Sequence, residues 1–380
     1  MRNVEDLCKT NDRLLDKYRG CLVGGAVGDA LGYAVEFMSL DSIKKKYGDG
    51  GIREYALSGG IARISDDTQM TLFTANGLLL GVTCETVESY SENIARCYLD
   101  WFITQTEGYP VREKDVSSWL INDKRLFSCR APGNTCLSAL EMMANGRKRG
   151  SVADPINKSK GCGGVMRVAP IGLYFMGEEY TSEEIDMIAA EAAAITHGHE
   201  LGYIPAAALA HIIHIVSHET DADLYEAIES SLNAVCSMFE KTQELDSFVK
   251  LMKLAVKLSE SEISDEEAIR TLGEGWVGDE ALAIAVFCAL RYRESFEDAM
   301  VASVNHDGDS DSTGAIAGNI LGAYLGMSAI PQKYLDNLEL MDVMIEISDD
   351  LYNAKKTKEL GSCEDKKWKK KYVDMTYTVK

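Results

Sequence analysis

Along most of this chain the apolar positions recur at intervals of three and four residues, not at intervals of two, over long stretches without a helix breaker. That spacing predicts helices over 68–81, 86–104, 135–146, 182–197, 202–217, 222–239, 244–259, 264–272, 279–292 and 313–328. The segments 48–64, 105–113, 128–134 and 151–171 collect the Gly, Pro and Asn punctuation and are predicted to be loops. Only 6 of the 380 residues are proline, against a usual ~5%. No Pro- or Ser-rich linker and no low-complexity tract interrupts the pattern. The expected class is therefore all-α, in a single domain.

Two glycine series stand out against this helical background. Gly20, Gly24, Gly28 and Gly32 fall four apart, as do Gly314, Gly318, Gly322 and Gly326, which puts each set near one stripe of a helix. Glycine inside a helix costs roughly 1 kcal/mol relative to alanine, so eight such positions need a compensating cause, and close approach of another backbone supplies one. The stretch Thr313–Gln332 carries no charge and raises a membrane reading. Its four glycines, Asn319, Ser328 and Pro331 make it too weakly apolar to span a bilayer, so it reads as a buried helix.

Composition narrows the field of functions. With 39 basic against 60 acidic residues the net charge is −21, which repels phosphate backbones and anionic headgroups and argues against nucleic-acid and membrane partners. An apolar share of 46% excludes disorder. The first residues lack the apolar core of a signal peptide, so the expected compartment is cytoplasmic. The 10 cysteines are scattered from Cys8 to Cys363 with no C-x-x-C and read as free thiols; Cys162 draws notice because it lies in a glycine-rich loop. The body is taken as 1–353, followed by a Lys-rich segment over 354–380. That segment is either a solvated extension or a basic contact for the acidic body or for a second subunit.

Adjacent acids mean little in so acidic a chain, but their flanks discriminate. Ile-Ser-Asp-Asp occurs at 64–67 and again at 347–350, and at both places the serine reads as an N-cap with aspartates in the first helical turn. After Asp67 no charge follows before Glu85, whereas Asp350 leads into a lysine-rich helix. The first pair is thus expected to open an interior helix, and the second to be surface capping that tolerates Asp349→Asn and Asp350→Asn. His306-Asp307-Gly308-Asp309-Ser310-Asp311-Ser312 likewise runs into the charge-free segment. Asp29 and Glu36 are the only charges from Gly20 through Phe37. Asp29 is open between capping a neighbouring helix and pairing with an arginine such as Arg167, and Glu36 has the same choices. Carboxylates at the mouth of a buried helix need a counter-charge, and Arg63 is the nearest in sequence to the first cluster. A divalent cation would supply it, and Asp and Ser oxygens suit Mg²⁺ or Ca²⁺, with Mn²⁺ as an alternative. The 307–312 loop lacks the sixth-position glycine and the twelfth-position glutamate of an EF-hand. His211, His214 and His218 fall at zinc-compatible spacing, though such a stripe is more often one helix face. No P-loop or Rossmann fingerprint is present.

Gly24-Gly25-Ala-Val-Gly28-Asp29-Ala-Leu-Gly32 with Glu36, Ser65-Asp66-Asp67-Thr68, and Gly308-Asp309-Ser310-Asp311-Ser312-Thr-Gly-Ala-Ile-Ala-Gly318 together resemble the ADP-ribosylglycohydrolase family, from about Tyr18 to Met327. Further stretches agree: Ala131 to Thr135, Ser159 to Arg167, Thr196 to His199, and Gly275-Trp276. The resemblance implies an orthogonal helical bundle with two Mg²⁺ ions in a central cleft. It implies metal ligands at Ser65, Asp66, Asp67, Asp309, Asp311 and Ser312, and catalytic carboxylates among Asp66, Asp67 and Glu36. Substrate contacts are implied at Gly133, Asn134, Thr135, Ser159, Gly161, Cys162, Gly163, Gly164, His197 and Trp276. His197 is open between pocket and core packing, and Trp276 between adenine stacking and core packing. Ser65 and Ser312 replace a threonine common in the family, a mild change because the hydroxyl is kept. Asp307 replaces a small uncharged residue and alters the charge balance of its loop.

The implied activity is Mg²⁺-dependent hydrolysis of the bond between ADP-ribose and a modified protein side chain. The 133–135 and 161–167 stretches look closer to the arginine-type branch. The implied partners are an ADP-ribosylated protein and a cognate ADP-ribosyltransferase. The alternatives are a hydrolase of serine-linked ADP-ribose, a metal-dependent phosphohydrolase, and a non-catalytic ADP-ribose-binding or crystallin-like member. The intact ligand clusters argue against the last.

Overall fold

The computed structural model describes residues 12–83, 86–111, 115–177, 179–219, 221–360 and 365–379. Among them are seventeen α-helices and no β-strand. In chain order these are α1 Arg13–Gly32, α2 Leu40–Tyr47, α3 Asp66–Leu80, α4 Val87–Thr106, α5 Asn134–Ala144, α6 Ala169–Tyr174, α7 Ser182–Ala194, α8 Glu200–His218, α9 Leu224–Met238, α10 Leu245–Ser259, α11 Asp265–Leu272, α12 Gly278–Arg291, α13 Phe296–Val304, α14 Ser310–Leu325, α15 Gln332–Leu335, α16 Met341–Leu360 and α17 Lys366–Tyr372. All ten helices expected from the spacing form, their ends shifted by at most three residues. The short α2, α6, α13 and α15 escaped the pattern because one or two turns carry too few apolar positions to define a period. Helix α6 also falls partly inside the predicted 151–171 loop, with Pro170 in its first turn, where a missing N–H costs nothing.

Helices α1 and α14 form the centre of the molecule. They run antiparallel with their glycine stripes face to face. A Cβ at Gly314 would lie 2.6 Å from the Gly28 carbonyl oxygen, and a Cβ at Gly20, Gly24 or Gly28 would overlap the carbonyls of Gly322, Gly318 and Gly314 respectively. The last glycine of α1 continues the register, since a Cβ at Gly32 would overlap Ser310. The stripes thus exchange helix propensity for backbone contact, and the register sets the end of α1 against the start of α14. Helices α12 and α13 pack on α14, while α8 packs against α7, α9 and α6. Within this core α8 is long and apolar enough to cross a membrane and is mostly buried inside the protein.

The second Ile-Ser-Asp-Asp differs from expectation. Ser348 is not an N-cap; it is a fully buried mid-helix residue of α16 whose hydroxyl donates to the Met344 carbonyl at 2.7 Å. Asp349 pairs with Arg19 at 2.6 and 2.8 Å. Asp350 pairs with Lys371 and accepts from the Tyr372 hydroxyl at 2.7 Å. Lys371 also reaches Glu346 at 2.6 Å, and the Lys-rich segment is thereby docked on the acidic body through α17. Breaking a buried ion pair on one side costs about 3 kcal/mol. Asp350→Asn should accordingly lower the melting temperature by several degrees in a thermal scan, in place of the neutral outcome expected of a surface cap, while activity well below the melt stays unchanged.

The seven described cysteines are free, as read from the sequence; Cys8, Cys84 and Cys363 lie outside the described residues.

Candidate active site

Three chain segments meet where the α1–α14 register brings them together. Helix α3 begins with Ser65 as N-cap, its hydroxyl accepting from the Asp67 N–H at 3.2 Å. Helix α14 begins with Asp309 as N-cap, its carboxylate accepting from the Ser312 N–H at 3.3 Å. The same residues therefore cap two interior helices and present oxygens at their positive ends. The third segment is the turn after α1, which carries Glu36.

Asp29 settles as the helix-capping alternative. Fully buried, it accepts from the Ser65 N–H at 2.9 Å, the Thr68 N–H at 3.1 Å and the Thr68 hydroxyl. It binds α3 to α1 and makes no pair with Arg167. That guanidinium lies instead over the Tyr98 ring at 4.3 Å and donates to Thr196 and to the Ala192 carbonyl.

Glu36, Asp309 and Asp311 are buried and offer oxygens within 4.8 Å of one another. Asp66 and Asp67 join them, each about 95% or more buried. Burial, reinforced by the neighbouring carboxylates, pushes the carboxyls of Glu36 and Asp66 up to about 8 and those of Asp67 and Asp311 well above the usual range. Glu36 Oε2 and Asp67 Oδ1 are buried without a hydrogen-bond partner. Arg63 is not the counter-charge. It and Arg130 are both spent on Glu339, at 2.6 and 3.0 Å, and among the described residues none of the five carboxylates has an ion-pair partner. Five buried acids, two of them with an orphan oxygen and none with a cation side chain among the described residues, fit a divalent metal, and their carboxylate oxygens with the hydroxyls of Ser65 and Ser312 fit a hard one.

The implied substrate residues mostly converge on this cluster. The Gly133 N–H donates to Asp66 Oδ2 at 3.3 Å, and the exposed Asn134 starts α5. The hydroxyls of Thr135 and Ser159 meet at 3.1 Å, and Gly161 donates to Ser159 at 3.4 Å. Cys162, Gly163 and Gly164 form a 3-10 turn, with the Cys162 thiol 2.7 Å from Asp309. Beneath this turn lies His197, 2% exposed, against which a Cβ at Gly161, Gly163 or Gly164 would press. Burial drives its imidazole down to about 3, so it is a neutral post under the loop and not a group lining the cleft. Trp276 is not core: it is 39% exposed and stacks on Phe37, 75% exposed, with centroids 6.0 Å apart.

Other residues gave weak or no sequence signal. Gly308, at φ 137°, lets the Asp309 N–H reach the Glu274 carbonyl at 2.8 Å. Asp307, the unusual acid of this loop, accepts from the Leu40 N–H at the start of α2 at 2.8 Å, so its charge offsets a helix terminus and ties down the segment after Glu36. The histidine stripe of α8 is a packing face: His211 bonds Asp186 and Ser230, His214 the Gly172 carbonyl, and His218 Tyr18.

The fold and site define an all-helical protein built around a buried carboxylate cluster at two helix N-termini. The chain belongs to the ADP-ribosylglycohydrolase family, whose model matches residues 10–361, and it is a glycohydrolase of ADP-ribosyl groups. It is 26% identical over 356 residues to ADP-ribosylhydrolase ARH3 of Bos taurus, across 86% of this chain and 90% of that one. To the ADP-ribosyl-[dinitrogen reductase] glycohydrolase of Rhodospirillum rubrum it is 24% identical, across 87% and 93% of the two chains. A solved chain described as an ADP-ribosylglycohydrolase-related protein complex shares the fold, with a TM-score of 0.60 and 24% identity over 90% of this chain and 99% of that one.

Proposed function

We propose that this protein hydrolyses the N-glycosidic bond between ADP-ribose and a protein arginine, using a divalent cation, Mg²⁺ for preference, held by Ser65, Asp66, Asp67, Asp309, Asp311 and Ser312. The observation that carries the reading is the convergence of Glu36, Asp309 and Asp311 with the buried Asp66 and Asp67 beside them, two of the five keeping an orphan oxygen and none having a basic partner among the described residues. The chemistry supplied by cations held there is polarisation of ribose hydroxyls and orientation of the attacking water.

The chain's own groups do the rest. Glu36, with Oε2 free, takes the proton of the water that adds to the anomeric carbon. The carboxylates around it stabilise the positive charge of the oxocarbenium-like state. The bond to the guanidinium breaks with its electron pair leaving on nitrogen, so a neutral guanidine departs without an acid. Lys160, which makes no ion pair among the described residues, lines with Trp276 a cavity of about 780 Å³ beside the cluster, the cavity's other charged residues being Glu266, Arg270, Glu274, Glu280 and Asp307, and offers a cation to the diphosphate. Backbone N–H groups of 133–135 and 161–164 suit the same diphosphate.

The arginine assignment is supported by charge: a protein of net charge −21 suits a cationic leaving side chain. Parallel assays on arginine-linked and serine-linked ADP-ribosyl proteins test it. The expected result is release at least tenfold faster from arginine; faster release from serine overturns the linkage and leaves the site reading standing.

Cation binding is tested without substrate. Stripping the protein with EDTA should lower its melting temperature and millimolar Mg²⁺ should restore it, since a ligand at a hundred times its dissociation constant stabilises by about 2.7 kcal/mol. A melt indifferent to both treatments would contradict the cation site.

A further inference from the structure

The reaction as proposed leaves the Cys162 side chain unused. Its Sγ lies 2.7 Å from Asp309 Oδ2 and 3.6 Å from the Ser312 hydroxyl. The Met166 thioether lies 3.8 Å from that same hydroxyl, so two sulfurs edge a site otherwise made of oxygen. Independently of the cysteine, Asp67 lies close enough for its charge to act on Cys162 and keeps a buried Oδ1 with no hydrogen-bond partner. The Cys162 thiol, the Asp309 and Asp67 carboxylates and the Ser312 hydroxyl thus gather at one edge of the cluster, with one carboxylate oxygen unsatisfied.

That donor set is not what a hard cation selects. Mg²⁺ takes oxygen ligands and keeps several waters, and a sulfur beside it contributes nothing. Zn²⁺ is bound by mixed thiolate and carboxylate sets in four-coordinate geometry. We propose that Cys162, with Asp309, Asp67 and Ser312, makes this cluster a capture site for a thiophilic divalent cation such as Zn²⁺, which competes with Mg²⁺ for the same residues. The inference rests on reading the cluster as a cation site. On capture the Cys162 S–H bond breaks, its proton passes to solvent, and a sulfur–metal bond forms with no change of oxidation state. A cation so held withdraws Asp309 from the catalytic arrangement, so zinc would act as an inhibitor where magnesium supports turnover.

The test uses the full chain carrying Cys129→Ser and Cys236→Ser, which removes the two exposed described thiols; of the other four described thiols besides Cys162, all are buried. The protein is stripped with EDTA, dialysed, and titrated with Cd²⁺, whose bond to thiolate gives a charge-transfer band in the ultraviolet, and in parallel with Zn²⁺ by thermal shift. Adding Cys162→Ser should remove the absorbance of one thiolate per chain and weaken Zn²⁺ binding about tenfold or more. The thermal stabilisation by Mg²⁺ should survive, because serine keeps a hydroxyl near Asp309. An unchanged band and unchanged Zn²⁺ affinity in Cys162→Ser, with Mg²⁺ still stabilising, would overturn the thiol's role alone. A parent chain stabilised by neither cation would overturn the cation site and this inference with it.

Discussion

Asp309→Asn and Asp311→Asn should each lower the rate of ADP-ribose release a hundredfold or more while the far-ultraviolet circular dichroism stays that of the native helical protein. A hundredfold loss is about 2.7 kcal/mol of transition-state stabilisation, a modest demand for removing a charge from the proposed cation site, where ligands would act together. The fold survives for local reasons. Asparagine caps a helix as well as aspartate does, so the start of α14 keeps its cap in Asp309→Asn. Asp311 sits among Asp67, Asp309 and Glu36, whose charges oppose its own. Neutralising it relieves that repulsion, so cation-free Asp311→Asn should melt at or above the cation-free wild type. Lost activity together with unharmed stability separates a working residue from a structural one. Asp350→Asn is the converse case: stability falls and activity at moderate temperature persists.

Gly28→Val should abolish the native state. At Gly28 the obstruction is the carbonyl of Gly314, and at Gly314 it is the carbonyl of Gly28, 2.6 Å from an added Cβ. Both are backbone, so no side chain can rotate away. Helices α1 and α14 would have to separate along their length, exposing the core on both and pulling Asp29 and Glu36 off the starts of α3 and α14. A cost above about 4 kcal/mol is expected, within reach of the whole 5–15 kcal/mol that holds a domain together. Soluble yield and a melting curve read the outcome. Gly108→Ala, where an added Cβ meets nothing within 4 Å, is the matched control and should fold normally. A cooperative melt near wild type for Gly28→Val would show that the stripes are not in contact.

What the sequence disclosed follows from the range of the interactions involved. Long amphipathic helices, the glycine stripes and the carboxylates at the starts of interior helices at 65–67 and 309–312 are local patterns, and each was legible. Asp350 was misread because its partner, Lys371, stands in a run of lysines that looked merely solvated. Arg63 is drawn away by Glu339, more than 270 residues along the chain, and Cys162 meets Asp309 across 147 residues. Such pairings leave no period and no spacing. Trp276 and Phe37 illustrate the same limit, since an exposed aromatic pair and two core aromatics look alike in a string of letters.

Glycosidic hydrolysis at the carboxylate cluster should require a divalent cation. The most direct measurement incubates the protein with an arginine-ADP-ribosylated protein, with Mg²⁺ and with EDTA, and identifies the released nucleotide by chromatography. The expected result is free ADP-ribose in Mg²⁺, little in EDTA, and at least a hundredfold less from Asp311→Asn. No release from arginine- or serine-linked substrate, release of AMP in place of ADP-ribose, or release indifferent to both EDTA and Asp311→Asn would contradict it.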